Sequence, residues 1–142
     1  QRSELLKSEY QIDLREALED DDVPGLVTLS TWVEVTDVFE LRDEETLDRL
    51  SPYHIWTNDY AKKRLHWRPK YPLTVMLLRV YKLQQPQALP VLDEYGGCKS
   101  WVDLGQEVTL GYISPVLTDA EYKEMVDSIQ QVVGTANSVI HR

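Results

Sequence analysis

The run Pro72-Leu73-Thr74-Val75-Met76-Leu77-Leu78-Arg79-Val80-Tyr81-Lys82-Leu83 is the most apolar stretch of the chain, and it limits what the remainder can become. Its composition favours an extended backbone. Alternate positions fall on two faces: Leu73, Val75, Leu77, Arg79, Tyr81 and Leu83 on one, and Thr74, Met76, Leu78, Val80 and Lys82 on the other. Both are apolar over most of their length, which predicts a central strand covered on both sides. Arg79 inside such a strand calls for a carboxylate, with Glu34 and Asp103 as candidates, or for a phosphate or carboxylate ligand at the strand end.

Around this strand the pattern alternates between helix and strand. Glu4 to Glu19 reads as a helix with Leu14, Ala17 and Leu18 on its apolar stripe, ended by Asp20-Asp21-Asp22 and Val23-Pro24-Gly25. Val27, Leu29, Thr31, Val33 and Val35 alternate as a strand reaching Leu41, and the slip at Val38-Phe39 predicts a bulge near Asp37. Asp43 to Leu50 reads as a short helix with Leu47 and Leu50 inward. A second begins at a Thr57 or Asn58 cap and runs to about Leu65. The prolines of Gln84 to Pro90 predict irregular chain, followed by short strands at Ser100 to Leu104 and Glu107 to Leu110. Thr118-Asp119-Ala120-Glu121 is a capping box. The helix behind it aligns Tyr122, Met125, Val126, Ile129, Val132 and Val133, and Gly134 suits its end. The tail from Thr135 reads as frayed.

The chain has 142 residues, enough for one domain with a core. No apolar run approaches the roughly 20 residues of a membrane span. The start, Gln1-Arg2-Ser3-Glu4-Leu5-Leu6, has neither Met nor a signal-peptide core and reads as the middle of a longer chain. One cysteine, Cys98, permits no internal disulfide and fits a reducing cytoplasm. A net charge of −9 argues against overall attraction to phosphate or anionic lipid, and no membrane partner is expected. The sign nevertheless reverses locally, since Lys62, Lys63, Arg64, Arg68, Lys70, Arg79 and Lys82 follow one another with no acid between them.

Several segments together carry a family resemblance. They are Leu50-Ser51-Pro52-Tyr53-His54-Ile55-Trp56-Thr57, the residues Arg64, Trp67 and Pro69, the passage from Pro72-Leu73 into Leu77-Leu78-Arg79-Val80-Tyr81, and Glu94-Tyr95-Gly96-Gly97-Cys98-Lys99-Ser100-Trp101-Val102. The chain resembles the domain-of-unknown-function 1802 family, widespread in cyanobacteria, over about Leu5 to Val133, and Tyr95 to Val102 is the most specific part. Members carry more chain upstream, including a glycine-containing strand region and a Pro-Thr-Tyr-x-His-Gln-like segment whose last residue Gln1 resembles. The resemblance therefore implies that one or more strands are missing here, together with any site they build. It supplies no catalytic residues. The presence of some members beside restriction-endonuclease-like domains implies a restriction–modification or defence setting. A second, looser similarity joins the Val/Trp-rich strand, the basic aromatic loop and the Arg-Val-Tyr-x-Leu strand to PUA-like modules, small barrels that include readers of RNA or of a modified DNA base.

The chemistry concentrates in one segment. Tyr53, His54, Trp56, Tyr60, Lys62, Lys63, Arg64, His66, Trp67, Arg68, Lys70 and Tyr71 interleave rings with cations. Bases stack on aromatic faces while Lys and Arg neutralise the backbone. The same residues are explained by tryptophans packed in the core and a solvated basic helix face. Of this segment, Trp56, Tyr60, Trp67 and Tyr71 are the predicted stacking surface, and Lys62, Lys63, Arg64, Arg68 and Lys70 the phosphate contacts. His54, Arg79, Lys99, Ser100 and Trp101 are predicted on a pocket rim.

Other chemistries are weaker. Cys98 beside Lys99, with His54 as base, has the residue types of a thiolate nucleophile, yet a small cysteine in a tight turn at Gly96-Gly97 explains it as well. Asp93, Glu94 and Lys99 are of the right types for a Mg²⁺-dependent nuclease but lack its spacing, and Glu34, Asp37 and Glu40 can equally form a strand's solvent face. His54, His66, His141 and Cys98 show no zinc spacing, and no glycine-rich phosphate fingerprint occurs, so no metal or cofactor is expected.

The expectation is a single α+β domain with a mixed, curved sheet, for which a PUA-like barrel is one form, short helices between strands and a C-terminal amphipathic helix. Its function is expected to be non-catalytic binding of DNA or RNA. The alternatives are a metal-dependent nuclease or phosphodiesterase, and a protein-interaction domain of a larger assembly.

Overall fold

The computed structural model describes residues 3–19, 23–97 and 100–134. Three strands, β1 (Leu26–Leu41), β2 (Leu73–Pro90) and β3 (Ile113–Pro115), form one sheet in the order β1-β2-β3. The helices are α1 (Gln11–Glu19), α2 (Glu44–Arg49), α3 (Asn58–Leu65) and α4 (Asp119–Val133). The expected α+β class and C-terminal helix are present. The sheet is antiparallel instead of mixed, and it does not close into a PUA-like barrel. Three strands cannot wrap a barrel; even the small, partly open ones use about five.

The described residues form two compact units. The first draws on Gln1–Asp20, Val35–Arg79 and Leu117–Arg142, and the second on Asp21–Glu34 and Val80–Val116. β1 and β2 each contribute to both.

In the first unit, Phe39 and Leu41 from β1, Leu47 and Leu50 from and after α2, Ala61 and Leu65 from α3, Leu77 from β2, and Ile129 and Val133 from α4 make the core. Leu73, Val75, Val126 and Val132 pack against it. One face of β2 is thus buried as predicted. The other is open, with Met76 39% and Leu78 37% exposed, so the strand is not covered on both sides. Continuous apolar sequence did not require two covering layers.

Other differences have local causes. The expected helix from Glu4 is broken into 3-10 turns at Ser3–Leu5 and Ser8–Tyr10 before α1 starts. Backbone groups there are used elsewhere: Leu6 bridges to Trp56, the Lys7 amide donates to the Ile55 carbonyl at 2.9 Å, and the Thr57 amide donates to the Leu5 carbonyl at 2.9 Å. Leu14 is half-buried; the side chains of Ala17 and Leu18, Asp20-Asp21-Asp22 and the tail from Thr135 lie outside what is described. In β1 the alternation fails at Val35, which is exposed, while its neighbour Thr36 is buried against the Tyr122 hydroxyl at 2.6 Å.

α3 starts at its predicted Thr57 cap, and α2 starts one residue later than expected, with Asp43 as its cap. Asp43 accepts from the Thr46 amide at 2.8 Å, and Thr57 accepts from the Tyr60 amide at 3.4 Å. Thr118 and Glu121 exchange both bonds of the capping box, and Gly134, at φ 77°, closes α4 in a region that favours glycine.

In the second unit, β2 continues through Pro86 to Pro90, where irregular chain was expected. Its pairing with β3 ends at Leu83↔Ile113, with the Gln84 amide still donating to the Tyr112 carbonyl at 3.0 Å. Pro86 lies beyond that ladder, where a strand tolerates a missing N–H. Ser100 to Leu104 and Glu107 to Leu110 are not strands. Side chains hold this loop: Tyr95 Oη donates to the Leu104 carbonyl, and Gln106 Nε2 donates to Tyr95 Oη at 2.6 Å and to the Pro90 carbonyl at 3.3 Å. Trp32 packs on Tyr81 with ring centres 5.1 Å apart.

Candidate nucleic-acid interface

The candidate interface residues lie in the first unit, around α3. Ala61 and Leu65, one turn apart, face the core. Lys62, Lys63 and Arg64 occupy the last turn, where positive charge complements the helix dipole. Chain reversal after Leu65, with the Tyr71 amide donating to the Arg68 carbonyl at 2.9 Å, then leads into β2. That turn lies outside the core. Trp67 is 70% exposed and Tyr71 66%, so the packed-core explanation of these rings does not hold. The Arg64 guanidinium stands 6.0 Å from the centre of the Trp67 ring.

Trp56 and Tyr60 form a second aromatic pair, their ring centres 5.1 Å apart and tilted by 50°. Trp56 is 41% exposed, and Tyr60 is half-buried.

The cations divide. Lys62 lies against α2, with its Nζ 3.3 Å from Glu44 and 3.1 Å from Asp48. His66 Nε2 is 2.7 Å from the other Glu44 oxygen. The Asp48 and Glu44 carboxylates hold the Lys62 ammonium above its ordinary value, and the His66 and Lys62 contacts hold Glu44 below its own. Lys62 is therefore already neutralised locally. Lys63, Arg64, Arg68 and Lys70 are exposed, and among the described residues none of them has an ion pair. Arg42, which the sequence did not single out, joins Leu65, His66, Pro69 and Tyr71 around a small hollow of about 150 Å³.

A larger cavity of about 420 Å³ opens beside the Trp56–Tyr60 pair. Tyr53, His54, Trp56, Tyr60, Arg64, Thr74 and Met76 line it, together with apolar side chains that include Leu47, Leu50, Leu77 and Ile129. Neither ring nitrogen of His54 reaches solvent or has a hydrogen-bond partner. Burial, and then the nearby Lys7 charge, push its imidazole below the ordinary value of 6.5; the Trp56 backbone pulls weakly the other way without completing a bond. Lys7 itself donates to the Ser51 carbonyl and, at 2.7 Å, to the His54 carbonyl. Periodicity gave no sign of this tie, because 44 residues separate Lys7 from Ser51.

Arg79, the other predicted rim residue in this unit, does not line the cavity. It is 5% exposed and engages Thr118 and Asp119 at the start of α4. Ser100 and Trp101 belong to the second unit, where both are exposed. Lys99 and Cys98 lie outside the described residues. Asp93 and Glu94 sit on a 3-10 turn, Asp93–Tyr95, and among the described residues no three His, Cys, Asp or Glu side chains are grouped to hold a metal ion. No helix there is long and apolar enough to cross a membrane.

The sequence profile of a domain of unknown function, DUF1802, matches residues 1–128. The chain belongs to the DUF1802 family. The match spans the whole basic aromatic segment, the cavity lining up to β2 and most of α4. No curated protein and no solved structure matches the chain. The DUF1802 profile thus gives the fold a family and leaves its chemistry to be argued from the residues.

Proposed function

We propose that this DUF1802 chain is a non-catalytic module that binds single-stranded nucleic acid through residues 56–71. One observation carries the reading. Trp67 stands 70% exposed with Arg64 against its ring, in a turn that also displays Lys63, Arg68, Lys70 and Tyr71. Tryptophan is heavily buried on average, so an exposed one among unpaired cations calls for a contact outside the fold. Bases stack on such rings with little regard to sequence, and the cations meet the phosphates. Lys62 takes no part, because Glu44 and Asp48 already hold it. Local charge governs at short range, so an overall charge of −9 does not oppose this.

The experiment is a titration with single-stranded DNA and RNA, read by tryptophan fluorescence at low and at raised salt. Saturable quenching that weakens with salt is expected. Trp67→Ala, folded by circular dichroism, weakens binding to every sequence alike. Absence of quenching at low salt, or unchanged affinity in that variant, overturns the reading.

A further inference from the structure

We propose that the hollow beside Arg42 seats one phosphate of a bound strand. The inference rests on the nucleic-acid reading and adds a place where a phosphate is held by hydrogen bonds as well as by charge. Arg42 is set by its neighbours. Leu41 before it is fully buried, and Asp43 after it caps α2, so the backbone is fixed on both sides while Arg42 itself is exposed. The other lining residues are held too. Leu65 is buried at the end of α3, His66 Nε2 bonds Glu44 at 2.7 Å, and the Tyr71 amide donates to the Arg68 carbonyl at 2.9 Å.

Size comes first. At about 150 Å³ the hollow lies below the roughly 300–1,000 Å³ of small-molecule sites. It has room for about five waters at about 30 Å³ each, the bulk of one phosphorus with its oxygens and too little for a nucleotide.

The chemistry points to an anion. Arg42, Leu65, His66, Pro69 and Tyr71 line the hollow, and none of them is an acid. A guanidinium is all donor, and its fork matches two phosphate oxygens at once. Among the described residues, neither the Arg42 guanidinium nor the Tyr71 hydroxyl has an ion pair or a hydrogen-bond partner. Glu44, which reaches His66, has its oxygens on His66 and Lys62 and is already neutralised. The partial negative charge at the end of α3 is offset by Lys63 and Arg64 in its last turn. Trp67 follows His66 directly, so a base stacked on that exposed ring brings the strand backbone to the hollow.

The test uses oligothymidylate with a 5′-phosphate, with a 3′-phosphate and with neither, and inorganic phosphate alone. Strand binding is read by tryptophan fluorescence, and phosphate binding by broadening of its ³¹P line. Arg42→Gln should bind the strand about tenfold more weakly and lower the salt slope by about 0.7. Arg15→Gln removes the same charge from α1, outside the hollow, and should change neither. Arg42→Lys keeps the charge without the fork and should restore only part of the affinity.

A loss for all strands alike assigns the hollow to an internal phosphate, and a loss confined to one phosphorylated strand assigns it to that terminal phosphate; both support the site. Strand binding that Arg42→Gln leaves unchanged, or weakens no more than Arg15→Gln does, overturns the site and leaves the Trp67 surface standing. Phosphate broadening that Arg42→Gln abolishes, without any strand binding, supports the site and overturns the strand reading. Binding of neither overturns both. Should Arg42→Gln fail to fold, Arg42→Lys decides alone.

Discussion

Arg79, 5% exposed, donates from Nη2 to the carboxylate of Asp119, an exposed residue, at 2.9 Å. The contact fastens the middle of β2 to the first turn of α4. Nη1 adds a bond to the Thr118 carbonyl at 3.1 Å, and the guanidinium lies 4.6 Å from the centre of the Tyr122 ring. One side chain therefore reaches three features of the α4 N-terminus: its cap, its first acid and the half-buried Tyr122 ring.

Replacing Arg79 should be costly, and the two ends of the contact should not be equivalent. Arg79→Met removes two charge-assisted hydrogen bonds and the ring contact at once and is expected to lower stability by about 3 kcal/mol in urea denaturation. Asp119→Asn changes only the solvent-facing end and should cost far less. Arg79→Lys should fail to restore stability, since one ammonium cannot serve a carbonyl, a carboxylate and a ring face together. Equal losses for Arg79→Met and Asp119→Asn would contradict this account.

The capping box offers a cleaner measurement. Thr118→Ala leaves the Glu121 amide, now 3.3 Å from the threonine hydroxyl, without its acceptor. A loss of about 1 kcal/mol is expected, with Thr118→Asn retaining most of it. Thermal melts followed by circular dichroism report the difference.

The pH dependence should show an early step due to His54. Its folded value lies below 6.5, so on acidification the unfolded chain takes up the proton first. This contribution is fully present above pH 6.5 and is lost as pH falls from there through the folded value. The carboxylates follow at lower pH. Asp43, bonded to the Thr46 amide, and Glu121, bonded to Thr118, titrate below their ordinary values of 3.8 and 4.5, so their support is also lost on acidification, but only below those values. Urea midpoints measured from pH 8 to pH 5 should fall for the natural protein and stay level for His54→Phe. A level profile in both would place His54 in contact with water or with a proton-stabilising partner.

Charge removal should separate the cations of α3 and of the turn that follows it. Neutralising Arg64 or Lys70 is expected to reduce the salt slope of single-strand binding by about 0.7 for each phosphate that no longer meets a cation. Lys62→Gln should change it little, because Glu44 and Asp48 already hold that ammonium. A larger effect for Lys62 than for Arg64 would show that the strand displaces the α2 carboxylates.

The caps were legible because their signals are local. Thr57 and Thr118 each precede a helix by one residue, and each accepts the amide three positions on; Asp43, expected as the first residue of its helix, caps it instead. The inward Leu47 and Leu50 followed from spacing alone. What failed depends on partners distant in sequence. Leu6 and Lys7 were assigned to a helix by local pattern, but the backbone of 55–57 captured them. The prolines of residues 84–90 predict irregular chain, yet the strand continues past the end of its pairing with β3. In the candidate site, residue types pointed to these rings and cations. They did not distinguish Lys62, neutralised across two helices, from Arg64, which faces outward against Trp67. Nor could composition show that Tyr53, Thr74 and Met76 surround one cavity with His54.

Lys7 gives that cavity a remote dependency. Its ammonium holds the carbonyls of Ser51 and His54, so the loop shaping one wall is tethered to chain more than 40 residues upstream. Whatever settles beside His54 stiffens that tether as well, and whatever loosens residues 5–7 unfastens the wall. Occupancy of the cavity should therefore be readable far from it, as slower amide exchange at Lys7 and Thr57, two strand-like hydrogen bonds that contact no ligand.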